Sequence, residues 1–316
     1  MNQESIKKEN APIALFVYNR PEHTKRTISA LKQNNLAKES DLFIFSDGSQ
    51  LRRDSAGQGK DEEAKLKVQK VRDYIKTVSG FRKVEIIERS ENFGLAKSII
   101  SGVTEIVNKY GRVIVLEDDL VTSPHFLEYM NDALDLYEKE EKVISIHGYI
   151  YPIKKDLPET FFIKGADCWG WATWKRGWGL FESDGKNLLA ELEKRNLIKE
   201  FDFDGAYNYS GMLKRQIEGK NDSWAVRWYA SAFLKNKLTL YPGQSLVQNI
   251  GQDASGTHKG DSNAHRVIVS DRKINVEKIE IIENGKIKKS IIQYFKSLKP
   301  SVFERIKLKI LLKNSK

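Results

Sequence analysis

Apolar and polar residues fall in alternating blocks along the first 120 residues, and the blocks predict strand and helix in turn. Ile13-Ala14-Leu15-Phe16-Val17-Tyr18 is a short continuous apolar run, the pattern of a buried strand. Asn19-Arg20-Pro21 breaks it. Pro21 opens a helix through Thr24, Thr27, Ile28 and Leu31, since proline is tolerated in a first turn. Asp41-Leu42-Phe43-Ile44-Phe45 predicts a second strand, ending in the polar turn Ser46-Asp47-Gly48-Ser49. Residues 50 to 61 read as an exposed, mobile loop. A helix follows from about Glu62 to Thr77, with Leu66, Val71, Tyr74, Ile75 and Val78 near helical spacing. Val84-Glu85-Ile86-Ile87 is a third strand, Asn92-Phe93-Gly94 a turn, and Leu95 to about Lys109 a helix. A fourth apolar run, Arg112 to Leu116, leads directly into Glu117-Asp118-Asp119.

Strand and helix alternating in this way predict an α/β fold, a mostly parallel, Rossmann-like sheet with crossover helices. In such sheets ligands bind beyond the carboxyl ends of the strands. Asn19-Arg20, Asp47 and Glu117 to Asp119 then share one edge. After a helix from Pro124 to about Glu140 and a strand at Val143-Ile144-Ser145-Ile146, the chain turns irregular and aromatic. Trp169, Trp171, Trp174 and Trp178 lie within ten residues, and Trp224 and Trp228 follow on an expected helix. Leu238-Thr239-Leu240-Tyr241 predicts a strand, and Gly251 to His258 a glycine-rich flexible loop. Three divisions result: a regular α/β half at 1–120, an irregular aromatic half of the same domain at 121–265, and a basic tail at 266–316. In the tail, 274 to 287 predict a hairpin across Glu283-Asn284-Gly285-Lys286. From Ser290, apolar residues and lysines mix in two amphipathic helices split by Pro300.

At 316 residues, with 40% hydrophobic content, the chain can bury a sizeable core. No apolar run reaches the roughly 18 to 20 residues that span a bilayer. The polar start, Met1 to Asn10, is not that of a secretory signal. A cytoplasmic location is the default expectation. The single cysteine, Cys168, excludes an internal disulfide and reads as a structural thiol. The net charge is +10, but ten basic residues from Lys286 onward stand against one acid, Glu304, so the tail carries nine of those charges. The main domain is therefore near neutral, and no nucleic-acid partner is expected. A basic amphipathic tail at 286–316 can lie on an anionic membrane surface, which would make the protein peripheral on the inner face of the membrane. The same tail can equally pack on the domain with a solvated basic face.

Glu117, Asp118 and Asp119 repel one another unless a cation sits among them. Carboxylates of this kind suit Mg²⁺ or Mn²⁺, which in turn hold substrate phosphates. An acidic loop after an ordinary strand would look the same. Neither a GxGxxG nor a GxxxxGK[ST] loop is present, so a metal and an arginine would have to handle any phosphates.

Phe16-Val17-Tyr18-Asn19-Arg20, Ile44-Phe45-Ser46-Asp47-Gly48 and Val113 to Leu120 followed by Ser123-Pro124-His125-Phe126 together resemble the GT-A glycosyltransferases, in particular the N-acetylglucosaminyltransferase I type. Gly170-Trp171 and Asp222-Ser223-Trp224 are similar to that family's downstream segments. The resemblance covers roughly 11 to 260. It implies a metal-dependent, inverting transfer of a sugar from a UDP-sugar, with UDP-GlcNAc one candidate, to a glycan acceptor, and the basic tail, which the resemblance does not cover, adds the expectation of a lipid-linked glycan in surface polysaccharide synthesis. It implies that Arg20 contacts the nucleotide, that Asp47 reads the uracil ring, and that Asp119 ligates Mn²⁺ or Mg²⁺. Glu117 and Asp118 would orient the sugar or the metal's waters, and Asp222 would be the general base. One or two of Trp169, Trp171 and Trp224 would stack on sugar faces. His258 would add a metal or phosphate contact on a closing loop, or simply be a surface histidine.

Each role has a structural counterpart: Asp47 as a turn residue, Arg20 as a surface arginine, Asp222 as a helix N-cap. Asp202, Asp204 and Asp253 are further candidates for the base. His125 and His147 read as structural. The alternatives in function are a non-catalytic sugar-binding or membrane-interacting protein on the same scaffold and, below it, a sugar-nucleotide pyrophosphorylase. The latter needs a glycine-rich, arginine-containing loop after the first strand, and Asn19-Arg20-Pro21-Glu22 is not one.

Overall fold

A computed structural model describes residues 9–49, 58–153, 155–253 and 263–299, of which 58–61 are described by backbone alone. The first half runs β1 (Ile13–Val17), α1 (Pro21–Lys32), β2 (Asp41–Ser46), α2 (Gln58–Ile75), β3 (Lys83–Glu88), α3 (Gly94–Tyr110) and β4 (Arg112–Glu117). There follow β5 (Leu120–Thr122), α4 (Phe126–Leu136), β6 (Val143–His147), β7 (Thr160–Ile163) and β8 (Trp171–Trp174). Helices α5 (Lys175–Trp178), α6 (Gly185–Lys194), α7 (Ile198–Phe201), α8 (Tyr209–Ile217) and α9 (Trp224–Leu234) lead to β9 (Leu238–Pro242), β10 (Val247–Asn249) and α10 (Gly285–Ser297).

Eight strands form one sheet in the order β3-β2-β1-β4-β8-β6-β9-β7, so both halves of the chain contribute to it. β3, β2, β1 and β4 are parallel. β8 is antiparallel between β4 and β6, β9 is parallel to β6, and β7 closes the far edge antiparallel to β9. The sheet is thus mostly parallel and flanked by helices, the α/β class expected from the sequence. The chain builds outward from β1 to β2 and β3, then returns to place β4 on the other side of β1. The order reverses between β1 and β4, and a crevice opens at the carboxyl ends of strands at such a reversal.

Helix periodicity decides what each sheet face meets. Ile28 and Leu31 of α1, Val71 and Ile75 of α2, and Phe126 to Leu134 of α4 bury against one face. Ile99, Val103 and Ile106 of α3 join Trp224 and Trp228 of α9 on the other. α3 approaches closely at Gly102, where an added methyl would meet the Phe16 ring at 2.7 Å. It ends at Gly111, whose φ of +78° is left-handed and whose N–H closes on Val107.

Three expectations are corrected. The aromatic segment at 171–174 is a fully buried strand, β8, and Thr160–Ile163 is another, β7. α2 begins at Gln58, so 58–61 are helical, while 50–57 lie outside the described residues. The hairpin across Asn284-Gly285 does not form. Asn284 instead caps α10, accepting the Ile287 N–H at 3.1 Å. Asparagine suits both turns and N-caps, and Ile287, Ile291, Ile292 and Phe295 at helical spacing decide in favour of the helix by burying against the domain. That uses the apolar face of the first tail helix, and 300–316 lie outside the described residues. Among the described residues, no helix is long and apolar enough to cross a membrane.

Candidate functional site

At the β1–β4 reversal, Phe16 is in register with Glu117 and Val17 with Ser46, so the loops after β1, β2 and β4 meet at one edge. Arg20 lies just before α1. Its Nη2 donates to Asp118 Oδ1 and, at 2.9 Å, to Asp119 Oδ2. Asp118 is buried, with its second oxygen facing the Tyr18 N–H at 3.4 Å. The backbone of the acidic turn is fixed as well: Thr27 Oγ1 donates to the Asp118 carbonyl at 2.9 Å, and the Ile250 N–H to the Asp119 carbonyl at 2.8 Å. Burial works to lower the Arg20 pKa, but the charges of Asp118 and Asp119 and the hydrogen bonds to both raise it above its ordinary value. Burial, then the charges of Asp119 and Asp118, push the Glu117 carboxyl up to about 8, with Arg20 opposing. Burial likewise raises Asp118, against the pull of Arg20.

Asp47 holds two turns together. Its Oδ1 accepts from the Gly48 N–H at 3.0 Å and the Phe93 N–H at 2.8 Å, and its Oδ2 from the Gly94 N–H at 3.0 Å. Gly48 must be glycine, because an added methyl would sit 2.4 Å from the Glu91 backbone. The carboxylate therefore occupies the amino end of α3, where N–H groups lack helical partners. Its turn role is realised. Any nucleotide contact has to use the remaining lone pair of Oδ2.

Asp222 reaches the same helix end from the other side, accepting the Ala96 N–H at 3.1 Å. It is not the cap of its own helix. Ser223 is, with Oγ accepting the Val226 N–H at 3.3 Å. Asp222 is exposed, at the mouth of a cleft of about 680 Å³ between α3 and α9, lined by Lys97, Ile100, Ser101 and Arg227. Of the other candidate bases, Asp202 is tied to the Ser210 N–H and hydroxyl, each at 2.7 Å. Asp204 stands on an exposed turn, and Asp253 pairs with His23 at 3.1 Å.

Trp171 is not at the site. It is fully buried on β8, stacked on Trp224 at 5.5 Å and beside Trp228 at 5.6 Å, so both Trp171 and Trp224 are core. Only Trp169 of the three remains half-buried, against Tyr149 and His265. Burial pushes the Cys168 thiol well up, as befits a structural cysteine. His258 lies outside the described residues.

The sequence reading missed Gly251 and His23. The backbone at Gly251 presses on the acidic turn, where an added methyl would meet Asp119 Oδ2 at 2.1 Å and Arg20 Nη1 at 2.8 Å. His23 Nε2 lies 3.3 Å from the Ile250 carbonyl and pairs with Asp253, which ties this loop to α1. A glycine in a polar stretch carried only a signal of flexibility.

A divalent cation at this edge would need ligands from outside the protein. Among the described residues no group of three or more His, Cys, Asp or Glu could hold a metal by itself, so an all-protein cage is absent. Mg²⁺ and Mn²⁺ commonly take one or two carboxylates and complete their shell with phosphates and water. Asp119, partly exposed beside Glu117, suits that mode, and Arg20 is shared between Asp118 and Asp119, so one guanidinium faces two carboxylates.

No protein-family model matches the chain, and no curated protein does. Among solved structures it is similar to TarS of S. aureus, at 13% identity over 51% of this chain and 28% of that chain, with a TM-score of 0.33. A protein of Desulfovibrio desulfuricans G20 assigned as a nucleotide-diphospho-sugar transferase matches at 12% identity over 56% of this chain and 69% of that one, with a TM-score of 0.32. Residues 1–349 of S. aureus TarS in complex with UDP match at 14% identity, 46% and 38% coverage, and a TM-score of 0.28. The chain thus spans well under half of either TarS structure. These likenesses are distant, and the functional reading rests on the residues of the site.

Proposed function

We propose that the chain is a metal-dependent, inverting glycosyltransferase that moves a sugar from a UDP-sugar to a glycan hydroxyl. The observation that carries this reading is the convergence of Arg20, Asp47 and Glu117 to Asp119 at one strand-order reversal. Such a reversal is where α/β sheets bind nucleotides, and the residues there offer both a cation and carboxylates. Asp119, with Glu117 beside it, would hold Mn²⁺ or Mg²⁺, whose positive charge stabilises the departing diphosphate. Asp47 sits at the nucleotide end and Arg20 at the phosphate end.

The reaction also needs a base. As the acceptor oxygen forms its bond to the anomeric carbon, the bond from that carbon to the diphosphate oxygen breaks, and the acceptor proton must leave. Asp222 is assigned to take it. The Ala96 N–H holds Oδ2, and the carboxylate lines the cleft between α3 and α9. Attack opposite the leaving group in one step inverts the sugar's configuration. The donor favoured by the sequence resemblance is UDP-GlcNAc. The acceptor is a glycan, either free or lipid-linked. The exposed lysines of α10, Lys286, Lys289 and Lys296, together with the basic residues after it, would bring the protein to an anionic membrane surface.

The test is release of UDP from a panel of UDP-sugars with Mn²⁺ present, comparing the native chain with Asp222→Asn. General-base removal lowers turnover by about 10²- to 10⁴-fold, while UDP and Mn²⁺ binding persist in the variant. A chain that neither binds nor turns over any UDP-sugar has another function.

A further inference from the structure

Arg20 pairs with two of the three carboxylates of the acidic turn, among them the one assigned to the cation. Its Nη2 donates to Asp118 and, at 2.9 Å, to Asp119 Oδ2, and its side chain is only 18% exposed. A guanidinium stays charged under all ordinary conditions, so it is a permanent counter-ion for this turn. Gly251 closes the other side of the same oxygen, since even a methyl there would lie 2.1 Å from Asp119 Oδ2. That oxygen cannot accept a metal ion until Arg20 or the Gly251 loop withdraws. A nucleotide diphosphate arriving at this edge would offer Arg20 an alternative partner of the kind a guanidinium pairs with best.

We propose that Arg20 is an internal stand-in for the metal ion: it pairs with Asp118 and Asp119 while the site is empty, and moves to the diphosphate on loading, which releases Asp119 for the cation. The inference rests on Asp119 being the cation ligand. It makes Arg20 a positioning residue that sets the order of loading. Cation alone must compete with a tethered guanidinium, whereas nucleotide removes the competitor. Nucleotide and cation therefore favour each other's binding, and by linkage each does so by the same factor.

The experiment measures Mn²⁺ binding to the full chain, with Mn²⁺ as the sole ligand, by the loss of the free-ion paramagnetic resonance signal. Native chain, Arg20→Gln, Arg20→Lys and Asp119→Asn are compared, and each titration is repeated with UDP present. Thermal unfolding with and without Mn²⁺ gives a second readout. Arg20→Gln is expected to bind Mn²⁺ alone about tenfold more tightly than the native chain, a shift within the usual range of coupling between sites. Its melting temperature should rise more on adding Mn²⁺, while its affinity for UDP without metal falls. Arg20→Lys, which keeps a tethered charge, should lie between the two and covers the case in which Arg20→Gln does not fold. Mn²⁺ affinity that is unchanged or weaker in both variants, with UDP-dependent Mn²⁺ binding intact, overturns the stand-in and leaves the glycosyltransferase reading in place. No Mn²⁺ binding by the native chain even with UDP overturns the cation role of Asp119, and the stand-in with it.

Discussion

Replacing Asp47 separates its structural role from its assigned role in nucleotide binding. Three N–H groups point at its carboxylate, but they do not depend on it equally. The Gly48 N–H has a second acceptor in the Glu91 carbonyl at 3.1 Å, and the Gly94 N–H has one in Asn92 Oδ1 at 3.1 Å. The Phe93 N–H donates to Asp47 Oδ1 at 2.8 Å and has no second acceptor among the described contacts. Asp47→Ala therefore strands one N–H and weakens two, and since a hydrogen bond to a charged group contributes roughly 1.5–3 kcal/mol, the loss should be about 2–4 kcal/mol. Asp47→Asn keeps an oxygen for Gly48 and Phe93. It turns an amide toward Gly94, which retains Asn92, so it should cost about 1 kcal/mol. Urea unfolding followed by tryptophan fluorescence measures both, and UDP titration of the folded variants measures the other role. If Asp47 contacts the base, Asp47→Asn loses UDP affinity out of proportion to its small loss of stability. A loss below about 0.5 kcal/mol for Asp47→Ala would refute the hydrogen-bond reasoning.

His147 is fully buried, and burial pushes its pKa down to about 3, with the Tyr149 backbone opposing. The folded pKa is below the unfolded value of about 6.5, so the unfolded chain binds the proton first as pH falls. This contribution to stability is complete above about 6.5 and is lost progressively toward 3, at up to about 1.4 kcal/mol per pH step. His147→Phe should flatten the acid limb of stability against pH, and a limb parallel to that of the native chain would contradict the assignment. Gly251→Ala forces a methyl into Asp119 and Arg20. It should lower stability by about 1–3 kcal/mol, as overpacking does, measured by urea unfolding, whereas an unchanged stability would mean that the loop is not seated on the acidic turn.

Much of the first half was legible because each of its strands is a short apolar run that stops at turn chemistry. Asp47, Arg20 and Glu117 to Asp119 inherit their common edge from that alternation. The aromatic half was not legible in the same way. Trp171-Ala172-Thr173-Trp174 becomes a strand only because it fits antiparallel between β4 and β6, a partner pairing that local sequence does not encode. The same tryptophans suit a sugar platform or a core, and burial alone separates the two. Asp222 and Ser223 are adjacent residues of equal capping preference, so which one caps α9 depends on the amino end of α3 lying close enough to engage the other. Gly251 looked like a loop glycine because its reason is a tertiary contact, the carboxylate of Asp119 more than a hundred residues away.

The central claim is that Asp119, at the β1–β4 reversal, brings a divalent cation to a uridine diphosphate. Calorimetric titration of UDP into the native chain and into Asp119→Ala, each with Mn²⁺ and with a chelator, tests it directly. The account predicts UDP binding that Mn²⁺ strengthens by about tenfold or more in the native chain, and no strengthening in Asp119→Ala. Equal UDP affinity in the two chains, with Mn²⁺ making no difference to either, would contradict it.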